Sequence, residues 1–382
     1  MNTIEIINDK LYCFDQSLQF IGKKEGRYFL LEPEEALWLA EIRNFAIFEK
    51  GRLVTIPEFF KRFNKNRFSV RYLTYRDWKR RGLHITFFDR IEKKNYNKSP
   101  VKSYPASKIE INERYEIYLD ENELIGYIFE DRAKELYCKY WFGQFGIYKN
   151  PERGKFLILD IFEVLFLSKI GFKVISNKEL SFEEILDIAK KKNENIESVY
   201  FVYEDWRSKG YILKTGFKFG TDFRIYFPGA SPLKKGKEWQ HSKHVIHVFC
   251  KDVSLPANEW ARAVRVAHGV KKTFITAIPG MKKEDYMKEN TPIDFVVYHR
   301  NEKNEVEILG KDDPSYILIS LHEDEKLSGK FLASALDLAD SLGLKLLIGI
   351  VDRESSVTYY VAHRIDLPGS QNRYYEIDWF NP

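Results

Sequence analysis

The chain has 382 residues, a length that accommodates two or three ordinary domains. Its 44% hydrophobic and 31% charged residues suit a globular protein and exclude a fibrous or wholly disordered one. The net charge of +5 conceals an asymmetry: residues 207–243 carry nine Lys/Arg against Asp222 and Glu238, whereas residues 311–382 carry seven against twelve Asp/Glu. A basic middle suits a polyanion and an acidic tail does not. Cys13, Cys138 and Cys250 are too few and too scattered for a disulfide framework or a zinc site, which favours a cytoplasmic location. The N-terminus lacks a charged-then-apolar leader, and no apolar run reaches the ~20 residues of a membrane span, so no membrane contact is expected.

In chain order, the first informative stretch is Gly26-Arg-Tyr-Phe-Leu-Leu with Glu35-Ala-Leu-Trp-Leu-Ala-Glu-Ile42. It recurs 128 positions later as Gly154-Lys-Phe-Leu-Ile-Leu and Glu163-Val-Leu-Phe-Leu-Ser-Lys-Ile170. The same offset relates Tyr75-Arg-Asp-Trp78 to Tyr203-Glu-Asp-Trp206 and Gly82 to Gly210. Between these, residues 61–81 interleave nine Lys/Arg with Phe63, Phe68, Tyr72, Tyr75 and Trp78. Because this stretch partly repeats the helix expected at 197–208, it reads as a structural helix with a charged outer face rather than an RNA track.

A second repeat has an offset of 72. His244-Val-Ile-His-Val-Phe-Cys-Lys-Asp252 matches Tyr316-Ile-Leu-Ile-Ser-Leu-His-Glu-Asp324, and Phe274–Ile278 matches Leu346–Ile350. Both copies read as strand, loop, amphipathic helix, strand, with Trp260, Val264, Ala267 and Leu332, Leu336, Ala339 on the apolar stripes. Repeats of this kind decide an architecture. The expected organisation is a degenerate front-half copy at 1–114, the front domain of a complete unit at 115–197, its catalytic domain at 198–305, and a degenerate back-half copy at 306–382. By these offsets Tyr226 maps to Lys98, His241 to Asp313 and Lys272 to Leu344, so one active site per chain is expected.

Within the middle segment, Gly210 suits the position just past a helix at 197–208. Residues 211–214 and 217–219 read as strands around Gly216. Tyr226 ends the next strand before a Pro228-Gly229 turn. His241 opens a strand at 245–249, and Lys272 ends a helix at 257–271. A tyrosine, a histidine and a lysine can supply a base, an acid and a fixed positive charge. That set can cleave RNA without a metal, because the 2′-hydroxyl is a built-in nucleophile. His241, His244 and His247 also invite a metal reading. On a strand, however, His244 points away from the other two, and no paired carboxylates stand beside them.

Tyr211-Ile-Leu-Lys-Thr-Gly-Phe-Lys-Phe-Gly-Thr-Asp-Phe-Arg-Ile-Tyr226, the His241-Ser242 pair and Arg265-Val-Ala-His-Gly-Val-Lys-Lys272 resemble the catalytic domain of archaeal tRNA-splicing endonucleases. The resemblance covers roughly residues 130–300 and reaches the flanks through the repeats. It implies an α+β fold of tandem units. Each unit would have a small α+β N-terminal domain and a helix-flanked, mixed-sheet nuclease domain of the restriction-endonuclease type. It implies Tyr226 as base, His241 as acid and Lys272 as charge stabiliser, with no cofactor and no metal. It also implies a precursor tRNA substrate with a bulge–helix–bulge and a homodimer of the fused chain. Tyrosine has an unperturbed pKa of ~10, so Tyr226 needs cations nearby, for which Lys272, Arg265 and Arg224 are candidates. Arg265, and less strongly Arg300 in the expected last strand of the complete unit, match positions that grip a bulge base. Lys234, Lys235 and Lys237 lie in an insertion suited to backbone phosphate. Asp352-Arg-Glu354 is a candidate acidic docking loop. A non-catalytic RNA-binding scaffold and a metal-dependent DNA nuclease on a related fold remain open as other readings.

Overall fold

The computed structural model describes residues 2–15, 18, 20–147, 150–233, 240–287 and 293–382. The chain is α+β, with multiple mixed sheets and helices. At the front, a six-stranded sheet runs Lys23–Glu25, Tyr28–Leu31, Lys10–Cys13, Thr3–Ile7, Ala46–Glu49, Arg52–Leu53 from edge to edge. A second has the same strand order: Gln144–Phe145, Leu157–Leu159, Ile125–Ile128, Glu116–Asp120, Lys173–Ile175, Glu179–Leu180. In both, alternation sends one residue in two to the core, as with Ile4 and Ile6 or Ile117 and Leu119.

Each of these sheets carries three helices at matching places: Pro33–Arg43, Ile56–Phe63 and Phe68–Arg80, then Ile161–Lys169, Phe182–Lys192 and Ile196–Ser208. Capping boxes start several of them, with Thr55 and Glu58 in one copy and Ser181 and Glu184 in the other. Tyr75, Trp78, Tyr203 and Trp206, which share the 128 offset, are all fully buried. The basic tract around the first pair is mostly neutralised internally. Arg62 meets Asp9 and Glu49, Arg71 meets Glu34 and Asp294, Arg76 meets Glu41, and Arg81 meets Asp77.

The glutamate shared by the two copies has one job in both. Glu163 is buried, accepts the Gly143 and Asp160 amides, and takes the Lys214 ammonium at 2.6 Å. Glu35 is buried, accepts the Gly22 and Glu32 amides, and takes the Arg90 guanidinium in a two-pronged pair. Each carboxylate thus ties a sheet-and-helix layer to the segment that follows.

The third sheet has eleven strands. Its path is Ile212–Thr215, Phe223–Tyr226, His244–Val248, Thr273–Ile278, Arg373–Phe380, Val357–Asp366, Lys345–Val351, Tyr316–His322, Phe295–Val297, Ile85–Phe87, with Lys102–Ser103 beside Val357–Asp366 off that path. Its register repeats about a pseudo-dyad. Phe223 faces Ile246 as Phe295 faces Leu318, and His244 faces Thr273 as Tyr316 faces Lys345. Ile377 faces Phe274 and Ala362 faces Leu346, and these two residues face each other at the centre. The helices Ala257–Gly269 and Gly329–Ser341 share one core through Trp260, Val264, Leu332 and Leu336.

Several sequence expectations change. Residues 217–219 form a 3₁₀ turn, not a strand: Gly220 takes a left-handed φ of 65°, and Phe217 is 85% exposed with no strand to lie against. The helix expected at 257–271 stops at Gly269, and Lys271 reverses the chain with φ 56°. The strand beyond His241 begins at His244. Phe295–Val297 pairs with Ile85–Phe87 and Tyr316–His322, so it lies across the dyad from the rest of 198–305. The register counterpart of Tyr226 is therefore Tyr298, not Lys98. Lys98 sits instead in an irregular segment, bonded to Glu307 and the Asp313 carbonyl.

A polar knot ties the Lys102–Ser103 segment to the sheet. The Tyr104 hydroxyl meets His244 Nε2 at 2.9 Å and donates to the Glu376 carboxylate, which also takes Lys102. Among the described residues no helix is long and apolar enough to cross a membrane.

Replacing Glu163 with Ala leaves Lys214 buried and unpaired. The expected loss is about 3–5 kcal/mol in urea unfolding, with Glu163→Gln costing less. His244 gives a signed pH effect. Burial, reinforced by the Lys102, Lys243 and Lys272 charges, pushes its imidazole down to about 4. The unfolded chain takes this proton near the ordinary His value of ~6.5 and the folded chain refuses it. Stability is complete above pH ~6.5 and falls as pH drops toward 4, by on the order of 3 kcal/mol from this ring. Melting curves of His244→Gln should flatten over that window relative to the parent.

Candidate active site

Three strand ends meet at one rim of the long sheet. Phe223–Tyr226 finishes there; His244–Val248 and Thr273–Ile278 begin there. Ile225 faces His244, His244 faces Thr273, and the Thr273 amide donates to the Lys243 carbonyl. Strand ends leave side chains at an edge where a large ligand can reach them. Tyr226 is 7% exposed, and its ring lies 4.7 Å from that of Trp141, tilted by 45°. Trp141 caps the helix Lys134–Tyr140 in a left-handed conformation, so the front layer supplies the surface behind the tyrosine. Arg224, two residues earlier on the same side of the strand, sits 5.9 Å from the Tyr226 ring.

Lys272 follows the reversal at Lys271 and immediately precedes its strand. Its ammonium donates to the Ser242 carbonyl and, at 2.7 Å, to the Ser242 hydroxyl. This clamp fixes the cation beside the residue that follows His241. Burial, and then the Arg224 charge, holds the Lys272 ammonium below its ordinary pKa. Phe219, from the 3₁₀ turn, lies 5.3 Å from the same nitrogen.

The three histidines have separate environments. His241 is exposed. His244 is buried against Tyr104, and burial keeps it neutral near pH 7. His247 Nδ1 lies 3.3 Å from Asp222. Of the three, His241 is the most exposed.

The other candidates scatter. Arg265, exposed on the last turns of Ala257–Gly269, donates to the Tyr360 hydroxyl at 2.8 Å. Arg300 is exposed, donates to the Asn304 carbonyl, and follows Phe295–Val297. Seven strand spacings, roughly 30 Å along the sheet, separate that strand from Phe223–Tyr226, so Arg300 does not join this chain's cluster. Lys234, Lys235 and Lys237 lie outside the described residues. Within the basic middle, Arg207 is buried on the Tyr211 and Tyr140 carbonyls, Lys209 pairs with Asp205, and Lys214 with Glu163. Lys218 and Lys243 are exposed and Arg224 is half-buried, and Lys272 lies outside that stretch.

Sequence reasoning missed Trp141 behind Tyr226 and the clamp by Ser242. No local pattern announces a contact between residues 85 positions apart. The Ser that follows His241 was the only available signal for the clamp.

Residues 196–289 match the family model described as tRNA intron endonuclease, catalytic C-terminal domain. The chain is 36% identical over 155 residues to a tRNA-splicing endonuclease of Thermococcus onnurineus, covering 39% of this chain and 82% of that protein. It is 37% identical over 128 residues to one from Pyrococcus furiosus, covering 33% and 70%. It is 33% identical over 134 residues to one from Methanopyrus kandleri, covering 34% and 71%. With the strand-end site inside the matched segment and most of each relative's length covered, the chain belongs to the tRNA-splicing endonuclease family.

Proposed function

We propose that this chain removes introns from precursor tRNA by cutting at bulge–helix–bulge junctions through attack of the 2′-hydroxyl on the adjacent phosphate. The observation that carries the reading is the Ser242 clamp. It ties the Lys272 cation to Ser242, the residue that follows His241, near the rim where the Tyr226 strand ends, which supports the reading. Tyr226 takes or orients the 2′-hydroxyl proton, and the 2′-oxygen bonds to phosphorus. The bond from phosphorus to the 5′-oxygen breaks, and His241 protonates the departing oxygen. Lys272 stabilises the charge that builds on the non-bridging oxygens. Products carry a 2′,3′-cyclic phosphate and a 5′-hydroxyl. DNA lacks the nucleophile. No step calls on a metal or cofactor.

The repeated registers support a chain of two related units. Each would have a small α+β front layer and a mixed nuclease sheet of restriction-endonuclease type. One unit would be active, because Lys272 has Leu344 as its counterpart at the 72 offset. A homodimer then has four units and two active sites. Asp352 closes its own turn by accepting the Glu354 and Ser356 amides, and Arg353 pairs with Asp324, which suits an acidic loop that docks on a second copy. Arg265 grips an unpaired bulge base, with Arg300 reaching a site only through that second copy. Lys234, Lys235 and Lys237 meet backbone phosphate.

With EDTA present, a bulge–helix–bulge RNA should be cut to cyclic-phosphate and 5′-hydroxyl ends. A single 2′-deoxy substitution at the cut nucleotide should abolish cleavage. Tight binding without cleavage would instead identify a scaffold, and cleavage only with magnesium would mean a different centre. His241→Ala should lower turnover by at least ~10²-fold; a rate within threefold of the parent removes His241 from the site. Lys272→Ala should lower turnover far more than it weakens RNA binding.

A further inference from the structure

Nine arginines among the described residues are half-buried: Arg62, Arg67, Arg71, Arg76, Arg81, Arg90, Arg224, Arg364 and Arg373. Eight of them meet a carboxylate. Arg224 meets none, and its Nε is buried without a hydrogen-bond partner. A guanidinium nitrogen buried without an acceptor is costly. Arg67, Arg71 and Arg207 also bury such a nitrogen, but each of them has a carboxylate or carbonyl on the same guanidinium. Here the cost is compounded. Arg224 stands near enough to Lys272 for its charge to disfavour the Lys272 ammonium, and Lys272 also meets no carboxylate among the described residues. Two neighbouring cations with no counter-ion among the described residues suit a site completed by an anion from outside.

We propose that Arg224 is a further catalytic residue, whose guanidinium grips the non-bridging oxygens of the scissile phosphate beside Lys272. The inference rests on the RNA-cleaving reading above and adds a group to it. A planar, five-donor fork suits two phosphate oxygens, where an ammonium offers a point charge. The unreactive side of the sheet supplies an independent argument. The counterpart of Arg224 is Val296, fully buried, and that of Lys272 is Leu344. The counterpart of Tyr226 is still a tyrosine, Tyr298. If Arg224 served only to pack against the tyrosine ring, the retained tyrosine would call for a retained arginine. The two cations have disappeared together and the ring has stayed, as expected if both serve the phosphate.

The test is single-turnover cleavage of a bulge–helix–bulge RNA with each phosphorothioate diastereomer at the cut site, by the full chain and by Arg224→Gln and Arg224→Lys. The parent must first cut the unmodified RNA; if it does not, the functional reading fails and this inference with it. Given a cutting parent, Arg224→Gln should lose ~10²-fold or more in rate with RNA binding within about threefold. The parent should favour one diastereomer, and the preference should shrink in the variant. Arg224→Lys should recover little of the rate. A rate within threefold of the parent overturns the inference, as does a uniform loss that leaves the diastereomer preference unchanged, since packing alone would produce that. If Arg224→Gln melts early, the diastereomer preference is read on Arg224→Lys, which keeps the charge and the stem. A preference unchanged there also overturns it.

Discussion

The antiparallel pairing of Val357–Asp366 with Arg373–Phe380 is the contact on which the molecule depends. Each of these strands also closes one side of the sheet, against Lys345–Val351 and Thr273–Ile278 respectively. Without the central ladder the two sides would expose long unpaired edges rich in tyrosine and isoleucine, a template for aggregation. With it, the helices Ala257–Gly269 and Gly329–Ser341 pack into a single core rather than two small ones. A larger continuous core buries a greater fraction of the chain and is easier to stabilise.

Charge placement does the rest of the organising. Glu35 and Glu163 are buried acids satisfied by amides and one cation each, so the front layers cannot shift without stranding a charge. At the rim the opposite holds: Arg224 and Lys272 meet no acid among the described residues. The same physics therefore gives rigidity where pairing is complete and an anion site where it is not.

Much of this was legible in the sequence, and the failures share a cause. The helix Ile196–Ser208 and the left-handed Gly210 beyond it follow from periodicity and turn chemistry, both local. The offsets of 128 and 72 reappear as matching strand registers because a repeat copies both pattern and pairing. Phe217-Lys-Phe219 has the alternation of a strand, but the neighbouring left-handed glycine bends it into a turn, and turn geometry outweighed alternation. The partner of Phe295–Val297 could not be read at all. A strand's own residues show which face is buried, not which distant segment lies alongside. Tyr226 and Lys272 were legible as residue types at a strand end and after a helix. Their supports, Trp141 and Ser242, depended on folding geometry.

The strand order has one more consequence. Thr273–Ile278 is closed by Arg373–Phe380, and Ile85–Phe87 is closed by Phe295–Val297, so each side of the dyad is assembled from segments interleaved with those of the other. No single scission of the backbone would release either side whole. The side without the lysine is therefore not a removable ornament: its loss would unravel the sheet that holds Lys272 in place. Once two such sides are interleaved, each is held in place by the need to close the other's sheet, whatever chemistry it carries itself.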